Sequence, residues 1–187
     1  RLRLIPLLMI RQSSHVLIFP ARHDHDRSLA SMNIFALDED PQIAARMHCD
    51  KHVPKMILEY AQLMSTAHRE LDGDECFDQL YKSTHKNHPS AIWTRSSDQH
   101  YMWLYELFCA LSEEYQVRYG KEHLTYTKLH GILQYLPHNI RANGFTDPPQ
   151  CMPDMYKHDD CVTAYRSFYR HDKSRFAKWQ YTDVPAW

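Results

Sequence analysis

The sequence predicts a mainly α-helical, compact single domain that runs from Met32 to Trp187 and has long loops. Apolar residues recur at helical spacing in two long segments, and capping residues and prolines bound those segments. The chain has 187 residues, of which 43% are hydrophobic, so it can bury one sizeable core. Twelve Tyr, seven Phe and four Trp add large apolar surfaces that disordered chains lack.

The strongest helix is expected from about Lys51 to Leu71, where apolar residues recur at spacings of three, four and seven. Its predicted buried stripe consists of Met56, Tyr60, Leu63, Met64, Ala67 and Leu71. A shorter helix should precede it, beginning at Pro41 after a cap at Asp38 or Asp40 and ending near Cys49.

A second long helix is expected from a cap at Ser96 or Ser97 to Tyr119 and Gly120. Shorter helices are predicted at 127–136 and 161–169, and another is predicted from Asp172 to about Trp179. Residues 33–37 indicate a short extended segment, and 81–93 a polar loop. Residues 137–157 contain four prolines, which favours a long ordered loop.

The first 31 residues differ from the rest in composition. Arg1 to Ile10 is basic and apolar, and its apolar run is too short to span a membrane because Pro6 interrupts it. We expect Met32 to be the true start of the protein, with residues 1–31 an upstream extension outside the fold.

Composition excludes several classes of function. Only four glycines are present and neither a dinucleotide nor a P-loop fingerprint occurs. A net charge of −1 gives no global attraction to nucleic acid, so any such binding must use a local patch. The five cysteines are scattered and odd in number, which is typical of reduced thiols in a cytoplasm.

Polar residues on the long helix form the first candidate site. His52, Lys55 and Glu59 occupy one face, and the same face continues as Gln62, Thr66 and Arg69. His52 and Glu59 are about 10 Å apart by helix rise, so both can border one groove. A carboxylate beside a sugar C1′ is the usual device for cleaving a glycosidic bond, although an ordinary solvated helix face has the same spacing.

The carboxyl-terminal stretch from Tyr165 to Tyr181 is the second candidate. It combines five cations with one acid, Asp172, and interleaves them with aromatic residues. Cations neutralise phosphates and rings stack on unpaired bases, but an aromatic core helix with a basic outer side is an equal alternative. The cations are Arg166, Arg170, Lys173, Arg175 and Lys178, and the rings include Phe176 and Trp179.

A third arrangement combines Cys49-x-x-His52 with His85-x-x-His88, and His48 and His68 are further candidate ligands. Two such pairs could build a tetrahedral zinc site. The pattern mixes residue types across a long gap, so loop histidines and a buried cysteine are the simpler interpretation.

From Met32 onward, the order of these features resembles the pyrimidine-dimer DNA glycosylases of the phage endonuclease V type. The similarity begins with Met32-Asn33-Ile34-Phe35 and continues with Asp50-Lys51-His52-Val53, which leads into a helix carrying Glu59. Further short matches are Asn87-His88-Pro89, the helix from Ser97 to Lys121, and the basic aromatic tail. They cover most of residues 32–181, and the His/Glu separation is the most specific of them.

The resemblance implies a DNA glycosylase with AP-lyase activity on UV photoproducts, without metal or cofactor. Glu59 would be the catalytic carboxylate and the α-amine of Met32 or Asn33 the nucleophile, with His52 beside them. Phosphates and bases would be held by Lys55, Arg69, Arg166, Arg170, Lys173 and Trp179. We expect a cytoplasmic monomer that binds damaged double-stranded DNA and no membrane. Leu58 and Gln62 stand where the family has arginines beside its Glu.

Two other functions fit the residues. A metal-dependent nuclease or hydrolase would use His48, His52, His85 and His88. A non-catalytic binding module would use only the basic aromatic tail.

Overall fold

The computed structural model describes residues 32–75 and 77–187, and this described part is built from helices without a β-strand. The predicted mainly helical, compact fold is therefore confirmed. The expected extension at 1–31 and the thiol of Cys76 lie outside the described residues. None of the described helices has the length and apolar character that a membrane span requires.

Six α-helices follow one another in the described chain. Their bounds are Pro41–Met47 (α1), His52–Asp72 (α2), Pro89–Ser96 (α3), Asp98–Tyr119 (α4), Leu124–Leu133 (α5) and Cys161–Phe168 (α6). A 3-10 turn at Asp154–Tyr156 precedes α6, and a π-helical turn at Tyr169–Lys173 continues it.

Local capping explains where the predicted helices begin and end. The Asp40 carboxylate accepts from the Gln42 N–H at the start of α1, and a proline in the first turn loses no hydrogen bond. The Ser97 hydroxyl accepts from the Gln99 N–H at the start of α4, and Gly120 ends that helix with φ 68°. Glycine adopts this left-handed conformation without a steric penalty.

Three expectations about the helices are wrong in part. The loop expected at 81–93 contains the start of α3, because the His88 ring accepts from the Ser90 N–H and caps a new helix. Helix α5 begins at Leu124, earlier than expected, because His123 caps it. No helix runs from Asp172 to Trp179. The chain instead leaves the π turn and continues as an irregular carboxyl-terminal tail, residues 174–187.

The core lies between α2 and α4, which pack against each other, while α1 covers α4 and both α3 and α5 cover α2. Tyr60 and Met64 of α2 and Leu104 and Phe108 of α4 are fully buried. The amino-terminal segment, residues 32–37, is buried as well. It is not fully extended, because the N–H groups of residues 36 and 37 donate to the carbonyls two residues earlier.

Arg118, near the end of α4, joins this core to the connection between α1 and α2. Its guanidinium donates to the backbone carbonyls of Arg46 and His48 and to the carboxylates of Asp50 and Glu114. The side chain is completely buried. The residues that lead into α2 are therefore held by an ion and hydrogen-bond network.

We expect Arg118→Met to lower the free energy of unfolding by about 3–5 kcal/mol, because the buried carbonyls and carboxylates lose their partner. Urea unfolding measures the change. Arg141→Met is the control, since Arg141 is exposed and its replacement should stay within about 0.5 kcal/mol of the parent. Equal effects of the two variants would contradict the assigned role of Arg118.

Candidate functional site

The amino-terminal segment docks on the first half of α2. The Phe35 ring stacks on the His52 ring with centroids 4.7 Å apart, and the Phe35 N–H donates to the Tyr60 hydroxyl at 3.1 Å. Two residues of chain span at most about 7 Å, so Asn33 lies close to these contacts. Met32 and Asn33 are 2% and 1% exposed. The first described residues are thus enclosed beside α2.

Glu59 is a buried carboxylate on this part of α2. It is 8% exposed, and its Oε1 lies 2.9 Å from the Lys55 Nζ one turn earlier. Its Oε2 has no hydrogen-bond partner among the described residues. Burial raises the pKa of Glu59, while the hydrogen bond and charge of Lys55 oppose that rise. The group is suited to exchange a proton or to face a developing positive charge.

Asn33 also has an unpaired polar atom. The Tyr165 hydroxyl donates to the Pro149 carbonyl at 2.6 Å and lies 3.4 Å from the Asn33 Oδ1. The Asn33 Nδ2 has no partner in the part of the chain that the structure describes. If the amide is turned over, Nδ2 reaches the hydroxyl and Oδ1 becomes unpaired instead. In either orientation one buried amide atom is free for a water or a ligand.

His52 does not line a groove, so that expectation is wrong. It is 3% exposed, its Nδ1 hydrogen-bonds the Tyr169 hydroxyl, and Phe35 and Phe176 pack against its ring. Burial lowers the pKa of His52 to about 2, and nearby positive charges, among them Lys55, act in the same direction. The imidazole is therefore neutral near pH 7 and supports the amino-terminal segment.

The rest of the predicted polar face of α2 is not a continuous exposed ridge either. Thr66 is buried and its hydroxyl bonds the backbone of Thr84. The Arg69 guanidinium donates to the carbonyls of Asp74, Leu80 and Tyr81. Arg69 therefore holds the loop after α2, in place of the DNA contact expected of it. The loop after α2 therefore covers a helix face that spacing in the sequence alone suggests is exposed.

Three residues of the carboxyl-terminal stretch that were expected to contact DNA are bonded within the protein instead. Arg166 donates to the Leu37 carbonyl and the Asp38 carboxylate, and the Trp179 Nε1 donates to the Met47 carbonyl. Lys173 is 9% exposed and pairs with Asp172 at 2.8 Å. Arg170 is exposed, as a phosphate contact requires.

Cations from two distant parts of the chain meet beside His52. The Lys51 Nζ lies 4.8 Å and the Arg175 Cζ 5.8 Å from the centroid of the Phe176 ring. That ring lies 5.4 Å from the His52 ring, and the charges of Lys55 and Lys173 also act on His52. We name the exposed cations Lys51, Lys55 and Arg175 the cationic surface. Lys51 and Arg175 were not among the predicted DNA contacts, because they are distant in sequence and meet only when residues 174–187 fold back onto α2.

The histidines proposed for a metal site are not assembled. His48 is fully buried and its Nδ1 bonds the Ala44 carbonyl, while the His88 ring caps α3. Among residues 32–75 and 77–187, no three His, Cys, Asp or Glu side chains are grouped so that they could hold a metal ion. Cys49, His52, His85 and His88 thus do not form the zinc arrangement that their spacing allowed.

Comparison of the chain with protein-family models, with curated proteins and with solved structures found no match. Glu59, Asn33 and the cationic surface are therefore the features of this chain that indicate a function.

We expect the free energy of unfolding to rise as the pH increases from about 4 to 6.5. Burial lowers the pKa of His48 from 6.5 to about 4 and that of His52 to about 2. In this window the unfolded chain binds protons that the folded protein does not, so folding is favoured as the pH rises. The two histidines together should contribute a few kcal/mol or more. Urea unfolding at a series of pH values measures the slope.

Single variants show which side chains cause the dependence of the free energy of unfolding on pH. His48→Gln and His52→Gln should each flatten it, whereas His130→Gln, at an exposed position, should not. Glu59 acts in the opposite sense, because its raised pKa removes stability as the pH increases through that range. A slope that neither buried-histidine variant changes would contradict the assignment.

Proposed function

We propose that this protein is a DNA N-glycosylase with AP-lyase activity that acts on UV pyrimidine dimers. The observation that carries the proposal is Glu59, a buried carboxylate with an unpaired Oε2 and a raised pKa. It lies on the part of α2 where the amino-terminal segment docks. A carboxylate in that position can stabilise the positive charge that develops at a sugar C1′, or transfer a proton.

The proposed nucleophile is the α-amine of Met32, or of Asn33 where Met32 is removed. As the bond between this nitrogen and C1′ forms, the glycosidic bond breaks and the damaged base leaves with the bonding electron pair. The nitrogen loses a proton, and the C1′–O4′ bond then breaks with protonation of O4′, so that the opened sugar is held as an imine. Loss of a C2′ proton expels the 3′ phosphate and cuts the strand. An α-amine has a pKa of about 8, so a useful fraction is unprotonated at neutral pH.

The burial of Met32 and Asn33 sets a condition on this reaction. The amino-terminal segment must shift when DNA binds, so that the amine meets an extruded nucleotide. Asn33 then offers its unpaired amide atom to that nucleotide, next to the amine. Binding energy from the phosphates is the source of the free energy for this opening.

The cationic surface supplies the phosphate contacts in this proposal. The protein as a whole has a net charge of −1, so attraction to DNA must come from a local concentration of cations. Lys51 and Arg175 both contact the Phe176 ring, and Lys55 joins the surface to Glu59. Arg170, on the π turn that follows α6, is a further exposed cation.

A non-catalytic nucleic-acid-binding module is the second candidate. The cationic surface and the Phe176 ring favour it, because phosphate neutralisation and base stacking suffice for binding without any contribution from Glu59.

Borohydride trapping on a duplex with one cyclobutane pyrimidine dimer tests the first proposal. Borohydride reduces an imine to a stable amine, so we expect a covalent protein–DNA product with protein that begins at Met32. Glu59→Gln should lower lesion cleavage by about 10²-fold or more and retain DNA binding. Glu106→Gln, at an exposed position on α4, should retain both.

Full cleavage by Glu59→Gln would contradict the proposed role of the carboxylate. Salt-dependent binding without an adduct or cleavage would favour the binding module. Comparison of the full chain with protein that begins at Met32 tests the nucleophile, because only the shorter protein carries an α-amine at the proposed position.

Loss of a cation from the cationic surface should weaken DNA binding uniformly across sequences. We expect Lys51→Ala and Arg175→Ala each to reduce the slope of log K against log salt concentration by about 0.9. Fluorescence anisotropy at several salt concentrations measures this slope. Lys121→Ala is the control, since Lys121 is exposed just after α4. A slope that is unchanged in all three variants would place the phosphate contacts elsewhere.

A further inference from the structure

A second concave site lies away from Glu59. It is a cavity of about 280 Å³ between the amino-terminal segment, α4, the loop before α6, and α6 itself. Its walls carry two aromatic rings, Trp103 and Phe145, and three carboxylates, Asp38, Glu39 and Asp147. Within residues 32–75 and 77–187, no Lys, Arg or His lines it, and none of the residues predicted for DNA repair contributes to it.

The aromatic rings form an angled corner of this cavity. The centroids of Trp103 and Phe145 lie 6.4 Å apart, and the ring planes are inclined by 46°. Trp103 is held in place because its Nε1 donates to the Glu39 carbonyl at 2.9 Å. Phe145 packs against Trp93 and His100, yet it stays 44% exposed. The faces of such rings carry partial negative charge and attract cations.

The carboxylates are not equally available. Asp38 is paired with Arg166 at 3.0 Å. Glu39 and Asp147 have no ion-pair partner in the part of the chain that the structure describes. The cavity therefore combines aromatic walls with two carboxylates that lack an ion-pair partner. An occupant with a positive charge would interact favourably with the carboxylates and with the faces of the rings.

We propose that this cavity binds a small alkylammonium ion. Its N–H groups donate to the carboxylates of Glu39 and Asp147, and its alkyl chain lies against Trp103 and Phe145. The volume equals that of about nine waters, which limits the ligand to a short amine. A hard metal cation fits less well, because Ca²⁺ takes six to eight oxygen ligands and two carboxylates do not provide them. The proposal is independent of the DNA-repair function.

Tryptophan emission of the full chain, titrated with n-butylammonium at constant ionic strength, tests the proposal. We expect a saturable change, because the ligand would contact the Trp103 ring. n-Butanol has the same shape without the charge and should give no such change at matched concentration. Trp103→Phe should remove most of the signal, while isothermal titration calorimetry of that variant still detects binding.

The Glu39→Gln/Asp147→Asn double variant should weaken n-butylammonium binding by about tenfold or more, because it removes the charge from both acceptors. Glu113→Gln, an exposed acid further along α4, should leave it unchanged. Circular dichroism shows that each variant is folded. No saturable response to n-butylammonium, an equal response to n-butanol, or unchanged affinity in the double variant would overturn the proposal.

Discussion

The packing of Phe35 on the neutral ring of His52 is the contact on which the candidate site depends. It joins the amino-terminal segment to α2, and the hydrogen bond between His52 and Tyr169 joins both to the end of α6. Phe176 completes the enclosure. Because the ring must be neutral to be buried here, the docking of the amino-terminal segment on α2 is also coupled to pH.

Most buried polar groups among the described residues have a hydrogen-bond partner, so the few unpaired atoms call for an explanation. Arg118 and Arg69 each bond several backbone carbonyls, and Arg166 bonds one together with a carboxylate. Glu59 and Asn33 instead each keep an unpaired atom. Proteins tolerate such atoms mainly where a water, a ligand or a reaction makes use of them. Ser65 and His68 of α2 also keep an unpaired atom, but Glu59 is the carboxylate among the three.

Much of the helical framework could be predicted, because its signals are local. The apolar stripe of α2 and the caps at Asp40 and Ser97 act over a few residues, and the observed bounds agree with the expected ones within two residues. The His88 cap of α3 is equally local and was missed, since histidine is an uncommon cap. The polar face of α2 could not be interpreted from spacing, because the loop bonded to Thr66 and Arg69 comes from later in the chain.

The sequence by itself determined the mainly helical architecture and placed Glu59, Lys55 and the basic aromatic stretch among the candidates. Only the tertiary structure decided which of these side chains are free to act. It buried His52 and Glu59, bonded Arg69, Arg166 and Trp179 to backbone carbonyls, and brought Lys51 to Arg175 around Phe176. The physical reason is that helix periodicity and capping act between near neighbours, whereas burial and the pairing of charges depend on segments that meet only when the whole chain has folded.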